Sequence, residues 1–122
     1  MIMDERIRIS LLLDFYGVLL TEKQQEYMAL YYNENLSLAE IAENDGISRQ
    51  GVRDILVRAK ATLVDAEKKL GLMARHDAQK KQIDEALSVL DEIARLNATR
   101  FKNAALLGFC NQLLDKLQEM KG

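Results

Sequence analysis

Residues 36–63 read LSLAEIAENDGISRQGVRDILVRAKATL, and this stretch predicts a helix-turn-helix, two helices joined by a tight turn. Ser37 and Glu40 have the spacing of a capping box that begins the first helix. Gly46 can adopt the positive φ that the turn requires. Ser48 caps a second helix, in which apolar residues recur at helical spacing. Those apolar residues are Val52, Ile55, Leu56, Ala59 and Leu63.

The helix-turn-helix interpretation gives three apolar or small residues a role in packing. Ala42 leaves room where the two helices cross, and Ile47 and Val52 are expected to fill the core between them. In this motif the second helix lies in the major groove of DNA. The alternative is a structural hairpin within an all-α core, since capping boxes and glycine turns are each common.

The second helix begins with side chains that can contact DNA. Its outward residues near the N-terminus are Ser48, Arg49, Gln50 and Arg53. All four can hydrogen-bond a base edge or a phosphate. Gly51 lies in the same turn, where it costs up to ~1 kcal/mol relative to Ala. It either lets the backbone approach a phosphate or is a tolerated defect.

The composition favours a small all-α protein. The chain has 122 residues, 48% of them hydrophobic, with no Pro and 6 Gly, which suits one domain or one small domain with an appendage. A single cysteine, Cys110, excludes an intrachain disulfide, and its apolar neighbours indicate a packed thiol. No apolar run approaches the ~20 residues of a membrane span, and charged residues near the N-terminus argue against a signal peptide. We therefore expect a cytoplasmic protein.

Positive charge is concentrated on the second helix of the helix-turn-helix. Residues 1–47 carry 3 basic and 9 acidic side chains, residues 48–71 carry 6 and 3, and residues 72–122 carry 8 and 7. The acidic N-terminal part should repel phosphates and weaken non-specific binding. A strong generic nucleic-acid binder is usually basic as a whole, so we expect modest affinity, local contact or the need for a second subunit.

Two further helices are predicted before the helix-turn-helix. The first runs from about Glu5 to Tyr16, and a capping box of Thr21 and Gln24 begins the next, which continues to about Tyr32. The inward residues are expected to be Ile7, Leu11, Leu12 and Phe15 on the first helix, and Tyr27, Leu30 and Tyr31 on the second. Tyrosines can stack on bases, but packing in the core or at its rim is the better interpretation here.

From about residue 74 the sequence predicts two long amphipathic helices, separated near residues 97–99. Their apolar residues are Ile83, Leu87, Leu90 and Ala94 on one, and Phe101, Ala105, Leu106, Phe109, Leu113 and Leu117 on the other. An apolar stripe without a partner in its own chain needs one on another chain. We therefore expect a domain at 1–72 and a C-terminal extension at 73–122 that forms a homodimer. The alternative is a monomeric bundle into which the extension folds back.

The sequence gives no indication of catalysis. The only histidine, His76, lies in a charged stretch without a Cys or a second His at metal-ligand spacing. The sequence has no glycine-rich phosphate loop and no Ser/His/Asp pattern. We predict a protein that is not an enzyme and uses no metal and no cofactor.

Three segments resemble the bacterial YlxM-like family. They are LLLDFYGVLLTEKQQEYMALYY at 11–32, NLSLAEIAENDGISRQGVRDILVRAKATL at 35–63 and EKKLGL at 67–72. The resemblance is strongest over residues 5–72; beyond them the chain is similar only in being helical and charged. The helix-turn-helix of this family is similar to region 4 of bacterial sigma factors, which reads a promoter element in the major groove.

This resemblance implies roles for residues of the second helix. The residues that would read bases are Ser48, Arg49, Gln50 and Arg53, and those nearer the phosphates would be Arg58 and Lys60. The chain departs from the family pattern at Gly51 and Arg53, where an alanine and an aromatic residue are expected. These departures affect the details of docking more than the fold.

The resemblance also implies a cellular partner. Genes of this family neighbour those for the GTPase and the receptor of the signal recognition particle, which implies a regulatory or accessory role in protein export. Two functions are therefore expected as alternatives. One is a regulator that binds duplex DNA; the other is an accessory protein that binds RNA or protein components of the signal recognition particle or the ribosome and keeps the hairpin as a scaffold.

Overall fold

The computed structural model describes residues 4–122, which form six α-helices. The helices are α1 (Glu5–Tyr16), α2 (Glu22–Met28), α3 (Leu38–Asp45), α4 (Arg49–Leu70), α5 (Leu72–Leu96) and α6 (Ala104–Lys121). Short turns of tighter or wider helix follow three of them, at Gly17–Leu19, Ala29–Asn33 and Asn97–Phe101. Within residues 4–122 there is no strand. The predicted all-α class, with a helix-turn-helix and long C-terminal helices, is confirmed.

The chain divides into two compact units, of which the first ends at Met73 and the second spans Ala74–Gly122. In the first unit α4 packs against α1, α2 and α3. From α4 the core takes Val52, Leu56, Ala59, Leu63 and Ala66; the other elements contribute Ile9, Leu12, Tyr16, Leu20, Tyr27, Met28, Ile41, Ala42 and Met73. A long helix thus forms one wall of the core, and its N-terminal turns are held by the elements that precede it.

Local hydrogen bonds begin the helices at the predicted residues. Thr21 Oγ1 accepts from the Gln24 backbone N–H at 3.2 Å, and Gln24 Oε1 accepts from the Thr21 N–H at 3.0 Å. Ser37 and Glu40 repeat this reciprocal pair, with both distances at 3.1 Å. Both capping boxes are therefore confirmed, because a cap depends only on residues three positions apart.

The inward face of α1 differs from the predicted one. The buried residues are Ile9, Leu12 and Tyr16, whereas Ile7 is exposed and Leu11 and Phe15 are half-buried. Tyr16 replaces Phe15 at the centre because its hydroxyl has partners: it donates to Glu67 Oε1 at 2.6 Å and accepts from the Leu72 N–H at 3.0 Å. A buried tyrosine usually requires such a partner for its hydroxyl, and helical spacing alone does not reveal one.

The second unit is an antiparallel hairpin of α5 and α6. Asp84 in α5 pairs with Lys121 at the end of α6 at 2.7 Å. At the other end, Asn97 Nδ2 donates to the Asn103 carbonyl at 3.0 Å and Asn97 Oδ1 accepts from the Asn103 N–H at 2.9 Å. The predicted apolar stripes meet only in part: Ile83 and Leu90 of α5 are buried, whereas Phe101, Phe109 and Leu113 of the second stripe are exposed. Cys110 is the packed thiol that was predicted.

None of the helices in residues 4–122 is both long enough and apolar enough to cross a membrane.

Candidate nucleic-acid interface

The turn between α3 and α4 consists of three residues. Gly46 ends α3 with φ of +65°, a conformation that strains residues with a Cβ, and its N–H donates to the Ala42 carbonyl. Ile47 N–H donates to the same carbonyl at 3.1 Å. Ser48 Oγ accepts from the Gly51 N–H at 3.0 Å and so begins α4. The predicted helix-turn-helix is present, with Ala42 buried at the crossing.

The prediction that Ile47 fills the core is wrong. Ile47 is 36% exposed, whereas Val52 is fully buried. The side chain of Ile47 lies over the first turn of α4 instead, since its Cδ1 is 3.7 Å from the point that a Cβ on Gly51 would occupy. That same point is only 3.2 Å from Ser48 Oγ. Gly51 therefore leaves room for the cap, an explanation that sequence reasoning did not consider.

A buried tyrosine of α2 is hydrogen-bonded to the end of α3, directly before the turn. The hydroxyl of Tyr27 in α2 donates to Asp45 Oδ2 at the end of α3. Burial, with the neighbouring Asp45 carboxylate, raises the pKa of Tyr27 to about 12. The hydroxyl therefore stays protonated at neutral pH and remains a donor, which connects α2 to the residue just before Gly46.

The four residues predicted to read bases are exposed at the start of α4. They are Ser48, Arg49, Gln50 and Arg53. Two of them already have local partners: Ser48 Oγ caps the helix, and Gln50 Nε2 donates to Asp54 Oδ1 at 2.9 Å. Asp54 is a residue that sequence reasoning did not single out. A carboxylate on the outer face of this helix disfavours a nearby phosphate but can accept from the amino group of cytosine.

The cations predicted to contact DNA lie on two different sides of α4. Arg49 and Arg53 are four residues apart and Lys60 follows seven later, so these three lie along one flank. Arg58 is five residues after Arg53, about 140° around the axis. One straight nucleic-acid backbone cannot lie against both sides, so the flank with three cations is the stronger electrostatic surface.

Lys60 is held by an acidic residue of α1. Its Nζ forms an ion pair with Glu5 Oε1; the side chain of Glu5 is 70% exposed and that of Lys60 is 38% exposed. The hydrogen bond from Lys60 lowers the pKa of Glu5, and the same contact raises the pKa of Lys60. The Glu5 carboxylate therefore opposes contact between Lys60 and a phosphate.

An open groove of about 310 Å³ lies beside the same flank of α4. Its lining residues are Tyr31, Tyr32, Leu38, Arg53, Leu56, Val57 and Lys60. The guanidinium of Arg6 stacks near both tyrosine rings, 4.8 Å from the centre of Tyr31 and 5.3 Å from that of Tyr32. Both rings are half-buried, as predicted for tyrosines that pack at the rim of the core. They form an aromatic wall of the groove, which Arg53 and Lys60 also line.

Of the two features that sequence reasoning missed, one depends on distant parts of the chain and one is local. Glu5 and Lys60 are 55 positions apart, and no helical spacing relates them. Asp54 was detectable, because a residue four positions after Gln50 lies one turn further along the same face. Among residues 4–122, no group of three or more His, Cys, Asp or Glu side chains could hold a metal ion.

Comparison with known proteins gives the family. The sequence pattern of UPF0122, described as "Putative helix-turn-helix protein, YlxM / p13 like", matches residues 3–104. A UPF0122 protein of Symbiobacterium thermophilum is 50% identical over 99 residues, covering 81% of this chain and 92% of its own length. One from Clostridium kluyveri is 51% identical over 106 residues (86% and 90%), and one from Desulforamulus reducens is 41% identical over 118 residues (97% and 100%). The chain therefore belongs to the UPF0122 family of helix-turn-helix proteins.

Proposed function

We propose that this protein binds duplex DNA through α4 and acts in the cytoplasm as a regulator connected with the signal recognition particle. The observation that carries the proposal is the exposed start of α4, where Ser48, Arg49, Gln50 and Arg53 follow a three-residue helix-turn-helix turn. Arg53 shares its flank with Arg49 and Lys60, which suits contacts with base edges and with the adjacent phosphates. We propose no enzymatic activity and no cofactor.

The proposed assembly is a homodimer. Two recognition helices related by a two-fold axis can occupy two half-sites on one face of a duplex. A second copy also compensates for the acidic N-terminal part, since it doubles the number of phosphate contacts without making one chain strongly basic.

Selection of bound fragments from genomic DNA, followed by titration of a selected duplex at several salt concentrations, tests this function. A protein that neutralises about five phosphates gives a log–log slope of about −4 to −5. Arg49→Ala and Arg53→Ala should each reduce specific binding by about 1–3 kcal/mol. Lys68→Ala is the matched control, because it removes one exposed cation from the far end of the same helix and should leave binding nearly unchanged. Equal effects of all three substitutions would indicate non-specific attraction only.

The second candidate is an accessory protein that binds RNA or protein components of the signal recognition particle or the ribosome. The acidic excess of residues 1–47 favours it, because this charge opposes a long phosphate surface. A pull-down with the full chain from a cell lysate, with sequencing of bound RNA and identification of bound proteins, distinguishes the two. Capture of particle components that is insensitive to Arg49→Ala and Arg53→Ala, without any selected duplex, would support this function and contradict DNA binding.

A further inference from the structure

The hairpin of the second unit exposes an apolar face beside its own small core. On α5, Val89, Ile93 and Leu96 each directly precede a residue that points toward α6. On α6, Phe109 directly precedes the buried Cys110, and Leu113 lies one turn further on. We call these five residues the hairpin face. Their exposed fractions range from 39% for Ile93 to 65% for Phe109.

The five residues share one side of the hairpin. A position that precedes an inward residue lies about 100° to one side of its helix. Because α5 and α6 are right-handed and antiparallel, that side is the same for both helices. The positions that follow inward residues lie on the other side. There Asp84 pairs with Lys121, and a cavity is lined by residues that include Ala98, Ala104 and Leu107.

The size of the hairpin face suits a protein partner. Its side chains leave roughly 450 Å² of mostly apolar surface in water, within the range of the largest patch on a typical monomer, which is often functional. A standard interface buries about 800 Å² on each partner, with an apolar centre and a polar rim. The hairpin face supplies roughly half of that area. An interface of standard size therefore also needs a charged rim of similar area around it.

One pair of rim charges favours a second copy of the chain as the partner. The pairs Asp84–Lys121 and Asn97–Asn103 fix the register of the hairpin, which puts Glu85 of α5 at about the level of Lys116 of α6. Both are exposed, Glu85 at the outer edge of α5 and Lys116 just before the inward Leu117. A two-fold axis parallel to the helices sets α5 of one copy on α6 of the other, so Glu85 of each copy comes level with Lys116 of the partner subunit. An axis across the helices would instead set α5 on α5 and α6 on α6, which separates Glu85 from Lys116 of the partner subunit.

We propose that the hairpin face docks on the same face of a second chain, forming an antiparallel four-helix bundle. The two-fold axis runs parallel to the helices, and Glu85 lies against Lys116 of the partner subunit. This inference specifies the surface of the homodimer in the proposed function. It does not require DNA binding, so the experiments below can fail while DNA binding succeeds, and the reverse.

Sedimentation of full-length chains at micromolar concentration tests the surface, with Leu113→Glu compared against Leu107→Glu. The two leucines lie on the same helix and are nearly equally exposed, at 49% and 50%, but on opposite faces of the hairpin. We expect the wild type and Leu107→Glu to be dimers, and Leu113→Glu to dissociate with a constant raised at least about 100-fold, because each copy buries a charge. Circular dichroism checks that both variants keep the wild-type helix content.

A monomeric wild type would overturn the proposal, as would a Leu113→Glu chain that remains dimeric. If Leu113→Glu loses helix content, Phe109→Ser supplies the same test with no new charge, against the same Leu107→Glu control. Dissociation of both leucine variants would also contradict the proposal, because the dimer contact would then involve the whole hairpin rather than the hairpin face.

Charge reversal tests the direction of the axis. Glu85→Lys or Lys116→Glu alone should weaken the dimer by about three- to tenfold, because two rim pairs become repulsive and each is worth up to ~1 kcal/mol. The double variant should recover wild-type affinity, since it restores opposite charges across the interface. Additive weakening in the double variant would contradict the parallel axis.

Discussion

At the scale of single residues, the ion pair between Lys60 and Glu5 sets a cost on DNA contact. Lys60 is paired with Glu5, and the negative charge of this carboxylate repels a phosphate that approaches Lys60. Glu5→Gln should therefore strengthen DNA binding by about two- to fivefold at low salt, the range expected for an exposed pair. The salt dependence should also steepen by up to about 1, because Lys60 would then release a counterion of its own.

The matched control for Glu5→Gln is Asp14→Asn. It changes the net charge equally from the same helix, nine residues away and therefore about 180° around α1. Adding Lys60→Gln to Glu5→Gln should abolish the gain, which identifies Lys60 as the residue that Glu5 restrains. Equal gains from Glu5→Gln and Asp14→Asn would mean that only net charge matters.

The raised pKa of Tyr27 predicts a loss of stability at alkaline pH. Its pKa is raised to about 12 from an ordinary value of 10.0, so the folded chain holds this proton more tightly than the unfolded chain. The resulting stability is complete below about pH 10 and is lost as the pH rises toward 12. Urea unfolding should show a smaller fall in the free energy of unfolding across this interval for Tyr27→Phe than for the wild type. A parallel fall in both would contradict the role of this hydroxyl.

At the scale of elements, the turn before α4 depends on a glycine. Gly46→Ala should lower the free energy of unfolding by about 1 kcal/mol, because alanine is strained at a φ of +65°. Gly46→Asn is the matched control and should cost less, since asparagine tolerates the left-handed region better. Urea unfolding followed by circular dichroism measures both. An equal loss for the two variants would mean that space in the turn, rather than backbone conformation, is limiting.

The elements also show what sequence could predict and what it could not. The starts of α2, α3 and α4 follow from Thr21, Ser37 and Ser48, because caps act within three residues. The inward face of α1 was predicted wrongly, since burial of Tyr16 depends on Glu67, 51 positions away. At the candidate interface, exposure of the residues that begin α4 followed from helical spacing. The Lys60–Glu5 pair did not, because it requires knowing which side of α1 faces α4.

At the scale of the whole molecule, the two units differ in how much they bury. The first has a core that draws on α1 to α4, whereas the buried residues of the second are Ile83, Leu90, Asn97 and Cys110. Local stability follows the amount of buried apolar contact. We therefore expect amide hydrogen exchange to be slowest in the middle of α4 and faster in α6 when the chain is dilute.

Protein concentration should change the rate of amide hydrogen exchange in the second unit only. If the hairpin face pairs with a second copy, raising the chain from about 1 to 100 μM adds stabilisation to α5 and α6 by mass action. Exchange in residues 74–122 should slow accordingly, while exchange in the middle of α4 should stay the same. Leu113→Glu should remove the concentration dependence and Leu107→Glu should keep it. Protection of α6 that equals that of α4 at low concentration would mean that the hairpin is stable alone and that its exposed face contributes nothing to its stability.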